Sequence, residues 1–123
     1  MTIATITKDF AFSASHRLDG LPETHQCARL HGHNYVIRVG ITGPVGAVGF
    51  VVDYGELSPV KGYIDDVLDH RHLNDLLDFN PTAENLAGHL IDVIRDLVPA
   101  ITPEHEVSVA VSETPKTWAT VTG

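Results

Sequence analysis

Residues 31–41 read His-Gly-His-Asn-Tyr-Val-Ile-Arg-Val-Gly-Ile, and this alternation constrains the fold more than any other stretch of the chain. Successive side chains of a β-strand point to opposite faces. His31, His33, Tyr35, Ile37, Val39 and Ile41 therefore share one face, while Asn34, Val36 and Arg38 take the other. A strand with this pattern buries one side against a core. Its buried side also begins with two imidazoles, separated only by Gly32, and two histidines on one face form a metal clamp. The only cysteine, Cys27, stands four positions before His31.

Residues 2–16 alternate in the same way. Ala4, Ile6, Phe10, Phe12 and Ala14 share a face interrupted by Lys8, and His16 ends the row. A histidine in that place is either a hydrogen-bonded core residue or a third ligand. Antiparallel pairing sets the end of the first strand beside the start of the second, which brings His16 to His31 and His33. Three histidines leave one position of a tetrahedral zinc open to water or substrate, as in catalytic rather than structural sites. Residues 17–30, with Gly20, Pro22 and Glu23, read as a loop carrying Cys27 over that opening. Cys27 is then a reactive thiol, a fourth ligand, or an inert buried residue.

The second strand runs to about Thr42, where Gly43-Pro44-Val45-Gly46 interrupts it, and Val48–Val52 reads as its hairpin partner. Leu57, Val60, Ile64, Val67 and Leu68 form a helical stripe, with Pro59 tolerated in the first turn. That helix delivers Asp69-His70-Arg71-His72 to its exit. A second helix follows Asn80-Pro81, with Thr82 as N-cap, Glu84 in the first turn and a stripe of Leu86, Leu90, Val93, Ile94 and Leu97 before Pro99. Residues 106–113 form the last main strand, with Val107, Val109 and Val111 sharing a face with Glu113, and residues 117–122 a short edge strand. His89 and His105 join no constellation. The expected architecture is one α+β domain over residues 1–123, an antiparallel four-stranded sheet with two helices on one face.

Composition narrows the function. A chain of 123 residues that is 43% hydrophobic has room for one core. A formal charge of −8 argues against nucleic acid or an anionic membrane as partner, so an anionic ligand must find a local basic pocket. One cysteine makes no internal disulfide, and neither a signal peptide nor a run of about 18 apolar residues is present. The expectation is a soluble cytoplasmic protein.

Six segments, in order along nearly the whole chain, resemble the 6-pyruvoyl tetrahydropterin synthase family. They are Phe12-Ser13-Ala14-Ser15-His16, Cys27-Ala28-Arg29-Leu30-His31-Gly32-His33, Val52-Asp53-Tyr54, Leu68-Asp69-His70-Arg71-His72-Leu73-Asn74, Asn80-Pro81-Thr82-Ala83-Glu84-Asn85 and Ser112-Glu113-Thr114. Tyr54 departs from the family's more usual Phe but keeps the ring. The resemblance implies a T-fold, whose subunits join their sheets into barrels, usually trimers stacked as hexamers. It implies 7,8-dihydroneopterin triphosphate as substrate and zinc held by His16, His31 and His33. It further implies Cys27 as proton-abstracting thiol, Asp69 and His70 as a proton-relay pair, Glu113 as the pterin anchor, and Thr82 and Glu84 as a frame for the pterin pocket. Arg17, Arg29 and Lys116 are candidates for the triphosphate.

Only three residues separate Cys27 from His31, which resembles the branch that forms 6-carboxy-5,6,7,8-tetrahydropterin, acetaldehyde and triphosphate. The pyruvoyl-forming branch, which eliminates triphosphate and keeps the side chain, typically has a longer insert. A zinc hydrolase and a non-catalytic metal-binding domain are the readings from other classes. A hydrolase would have no need of the thiol, whereas a structural zinc would recruit it as fourth ligand.

Overall fold

The computed structural model describes all 123 residues. Strands β1 (Ile3–His16) and β2 (His31–Pro44) pair antiparallel along their full length, from Ile3 opposite Pro44 to His16 opposite His31. β2 pairs on its other side with β4 (Glu106–Thr114), which turns back into β5 (Thr117–Thr122). A two-residue strand β3 (Arg71–His72) lies parallel to β1 at Ala14 and Ser15. The sheet order is thus β3-β1-β2-β4-β5.

Two expectations change. The sheet has five strands rather than four, and Val48–Val52 is not one of them. Both sides of β2 are taken by β1 and β4, so no edge remains for a hairpin partner. The segment instead forms a tight turn, with Gly49 at φ +101° and the Gly46 N–H donating to the Phe50 carbonyl at 2.8 Å. The strand that joins the sheet in its place, β3, is too short to show an alternation.

Helices cover one face, as the apolar rows require. α1 (Ser58–Tyr63) runs into a wider turn over Ile64–Leu68, closed by the Asp69 N–H on the Ile64 carbonyl at 2.9 Å. After the short α2 (Leu73–Leu76), α3 (Ala83–Leu97) carries its buried stripe on Leu86, Ala87, Leu90, Ile91 and Ile94. Leu97, expected in that stripe, is 40% exposed. The helices bury Leu57, Val60, Ile64, Leu68, Leu86, Leu90 and Ile94 against Phe10, Phe12, Ile37, Val39, Ile41, Val107, Val109 and Val111 in one core. No helix is long and apolar enough to cross a membrane.

Thr82 caps α3 as its sequence position suggested: its hydroxyl accepts from the Asn85 N–H at 3.1 Å. Without it a helix-terminal donor is left unpaired. Thr82→Ala is therefore expected to lower stability by about 1 kcal/mol in urea denaturation, and Thr82→Ser to restore most of it. Equal stability of all three proteins would show that the cap contributes nothing.

Candidate active site

The register of β1 on β2 assembles the site. His16 and His31 are directly opposed and His33 is opposite Ala14, so three imidazoles converge on the core side of the sheet end. Their ligand nitrogens all lie within 4.8 Å of one another, and no cysteine or carboxylate joins that set. His16 is fully buried.

Two backbone carbonyls fix how the rings face. His16 Nδ1 lies 2.8 Å from the Pro81 carbonyl, just before the α3 cap, and His31 Nδ1 lies 2.7 Å from the Arg29 carbonyl. A carbonyl oxygen only accepts, so both Nδ1 atoms carry the hydrogen and both Nε2 atoms present lone pairs. Those two Nε2 atoms are 2.9 Å apart. Two lone pairs at that distance repel unless a cation lies between them. Ligand histidines are typically oriented in this way, through the nitrogen that does not bind metal.

His33 adds a third converging nitrogen. Its Nε2 is buried without a hydrogen-bond partner, although Glu113 Oε2 is only 3.0 Å away. The contact with Glu113 is therefore one of proximity rather than a hydrogen bond. Glu113 Oε2 is also 3.7 Å from His16 Nε2. Burial is the main influence holding His16 and His33 below the usual histidine value, opposed by Glu113 and reinforced by the neighbouring histidines. Both therefore keep free lone pairs further into acid than exposed imidazoles do. The cluster can hold a metal ion, and its all-nitrogen donor set suits a borderline ion such as zinc.

Cys27, Asp69, His70 and Glu84 lie outside that close set. Cys27 sits in a one-turn 3₁₀ segment, Gln26–Ala28. Its carbonyl accepts from the Leu18 N–H at 2.9 Å and its own N–H donates to His25 Nδ1 at 3.0 Å. The thiol residue is thereby tied two positions beyond His16 and four before His31. Asp69 and His70 follow the helical turn over Ile64–Leu68, with His70 Nδ1 3.0 Å from Asp69 Oδ2. The Ser13 N–H donates to Asp69 Oδ1 at 2.9 Å and, first among several hydrogen bonds, holds that carboxyl below its usual range. Glu84 lines a separate cavity with Asp78, His89 and Asp92, and none of the three clustered histidines borders it.

Sequence reasoning did not find the Pro81 and Arg29 carbonyls, or Ser13 as the anchor of Asp69. Backbone groups carry no residue-type signal. It also passed over the Ser15–His72 pair, bonded at 3.0 Å across β1 and β3. His89, unassigned in the sequence, hydrogen-bonds Tyr63 at 2.7 Å beside Phe79.

A sheet backed on one face by helices, with a cluster of three histidines at the paired ends of its two longest strands, is the architecture of the T-fold pterin enzymes. The family model described as 6-pyruvoyl tetrahydropterin synthase matches residues 5–123, and the chain belongs to that family. It is 34% identical to a 6-carboxy-5,6,7,8-tetrahydropterin synthase of Rickettsia bellii, over 68% of this chain and 75% of the relative. It is also 34% identical to a dihydroneopterin monophosphate aldolase of Pyrococcus furiosus, over 72% of this chain and 73% of that protein. The solved structure of Caenorhabditis elegans 6-pyruvoyl tetrahydropterin synthase superposes with a TM-score of 0.83 at 29% identity, covering 100% of this chain and 97% of that one.

Removal of one imidazole leaves two, too few for a stable site of this kind. His31→Ala is expected to reduce bound zinc from about one ion per chain to near zero by metal analysis. Full occupancy in that variant would show that the metal is held elsewhere.

Proposed function

We propose that the protein is a zinc-dependent carbon–carbon lyase that converts 7,8-dihydroneopterin triphosphate into 6-carboxy-5,6,7,8-tetrahydropterin, acetaldehyde and triphosphate. His16, His31 and His33 hold the metal. Zinc bound there supplies a Lewis acid that acidifies the C–H and O–H bonds of the substrate's hydroxylated side chain.

The protein's own groups move the protons. Cys27 is the base. Its absence from the close ligand set supports a base over a fourth ligand, and with it a catalytic over a structural metal. Asp69 orients His70 through the Nδ1 contact of 3.0 Å, leaving Nε2 to relay protons. Glu113 anchors the pterin by accepting from its amino and ring N–H groups, a charge-assisted bidentate pairing. Thr82 frames the pterin pocket from the α3 cap, beside the Pro81 carbonyl that orients His16, whereas Glu84 faces the separate cavity and is left out of this assignment.

One observation favours the carboxy-forming reaction over elimination alone. The tether from Cys27 to His31 is three residues long, and its middle residue, Arg29, itself accepts the His31 Nδ1 hydrogen at 2.7 Å. Base and metal ligand are thus fixed to one another by a short segment with little slack. A displacement of about 1 Å in such a group costs on the order of 100-fold in rate, so tether length supplies a physical basis for which bond breaks. The Rickettsia relative carries the name of this reaction.

The sheet supports self-association. β1 is paired with β3 only at Ala14 and Ser15, and β5 forms the opposite edge, so long stretches of backbone donors and acceptors stay unmatched. The reading includes a homohexamer and, with one cysteine and no internal disulfide, a reducing compartment such as the cytoplasm. Light scattering at micromolar concentration is expected to give a mass six times that of the chain; a monomer would contradict it.

The reaction is tested by anaerobic incubation with 7,8-dihydroneopterin triphosphate. Stoichiometric acetaldehyde is expected, and Cys27→Ala should retain zinc while losing at least about 100-fold in rate. Triphosphate release with a 6-pyruvoyl product and no acetaldehyde would transfer the assignment to the pyruvoyl branch. Loss of zinc in Cys27→Ala would return the thiol to the metal's ligands.

A further inference from the structure

Residues 17–30 carry Cys27 from β1 to β2, and none of them is buried. Apolar packing therefore does not fix where the thiol stands, and hydrogen bonds must. At the entry of the loop these come from outside it. Asn74 accepts the Arg17 N–H on Oδ1 at 2.8 Å and donates its amide to the Arg17 carbonyl at 2.7 Å. Asn80 does the same to Asp19, at 2.9 and 3.1 Å. Each pairs with the chain as a neighbouring strand would, so α2 and the connection into α3 hold the entry of the loop in place. The Leu18 N–H, donating to the Cys27 carbonyl at 2.9 Å, carries that tie across to the turn that bears the thiol.

The turn closes mainly on its own backbone. The His25 N–H donates to the Pro22 carbonyl at 2.8 Å, the Ala28 N–H to the His25 carbonyl at 3.0 Å and the Arg29 N–H to the Gln26 carbonyl at 3.2 Å. The Cys27 N–H is the exception, because it goes to a side chain, His25 Nδ1, at 3.0 Å. A backbone N–H only donates, so Nδ1 bears the lone pair and the neutral ring carries its hydrogen on Nε2. This tautomer is opposite to that of His16 and His31, whose Nδ1 atoms face carbonyls.

The position of this bond gives it consequence. The peptide that ends in the Cys27 N–H also sets the direction of the Cys27 side chain, and a peptide free to tilt takes Cβ and Sγ with it. On its far side the same turn ends at Arg29, whose carbonyl orients His31. The metal-ligand end of the segment is thus fixed by a carbonyl, and the thiol end by an imidazole.

We propose that His25 is a positioning residue for the Cys27 thiol: its neutral ring accepts the Cys27 N–H and fixes the peptide from which the sulfur projects. The assignment rests on the reading of Cys27 as the catalytic base. An acceptor two residues before the N–H it receives is what Asn or Asp supplies in an Asx turn, and Asn Oδ1 can stand in for His Nδ1 there without being able to carry a proton.

The test follows triphosphate release from 7,8-dihydroneopterin triphosphate, which the carboxy-forming and pyruvoyl-forming reactions share. His25→Ala is expected to retain zinc and its urea midpoint, since Asn74 and Asn80 still hold the loop, but to lower kcat about tenfold or more with KM within about twofold of wild type. His25→Asn should recover most of the rate. Amide exchange across residues 26–28, read by mass spectrometry, should be faster in His25→Ala and return toward wild type in His25→Asn. In a Cys27→Ala background His25→Ala should cost nothing further, because it acts through the thiol. Unchanged kcat or unchanged exchange in His25→Ala would overturn the assignment. So would zinc loss in that variant, a further loss in the Cys27→Ala background, or a His25→Asn protein as slow as His25→Ala, which would make the ring itself a proton carrier. Full turnover by Cys27→Ala refutes the base reading and the positioning role with it, whereas a fully active His25→Ala beside an inactive Cys27→Ala overturns the positioning role alone. The expected His25 pattern without acetaldehyde release supports the positioning role and refutes the carboxy-forming reaction.

Discussion

The pairing of β1 with β2 is the constraint from which the rest of the structure follows. Fourteen residues of each strand are matched from Ile3 and Pro44 to His16 and His31. A slip of one residue would turn every side chain of one strand to the opposite face. It would remove Phe10, Phe12 and Ala14 from the core and His16 from the histidine cluster together. Core and site are therefore specified by one register, and the apolar burial that stabilises the sheet also assembles the three imidazoles.

Around that register the structure fixes the imidazoles from outside the strands. His16 points its Nδ1 at the carbonyl preceding α3, and His31 points its Nδ1 at the loop bearing Cys27. The start of the helix and the thiol loop are consequently coupled to the two facing imidazoles. Convergence of bare nitrogens at 2.9 Å is unfavourable in isolation, and a metal ion would reverse its sign. Metal binding and ordering of the surrounding segments should then be linked, as expected for sites that couple to folding.

The sequence made legible what repeats and concealed what occurs once. Alternation over residues 4–16 and 31–41 identified both long strands and the face shared by the three histidines. The Thr82 cap and the Leu86, Leu90 and Ile94 stripe located α3. Val48–Val52 misled because an apolar run reports a preference for burial or pairing, whereas strand membership depends on an open neighbour, and β2 had none. β3 has two residues and no period, so nothing local could announce it. The family resemblance pointed to Asp69 and His70, but their placement rests on Ser13 backbone atoms that no residue type encodes. Glu113 was recognisable as an acid ending a valine row; its approach to His33 was not.

The end of β1 concentrates these functions through alternation itself. Ser13 holds Asp69 through its N–H, and its carbonyl accepts from the His70 N–H at 2.7 Å. That second bond helps hold His70 at φ +60°, a left-handed conformation costing a residue with a side chain on the order of 1 kcal/mol. Ser15, two positions on, holds His72, while His16, of opposite parity, enters the histidine cluster. Three residues within four positions of one strand thus hold Asp69 and His70, hold His72, and join the histidine cluster. Because all three belong to one strand paired along its length with β2, the register that buries the apolar row of β1 also sets the spacing of these side chains.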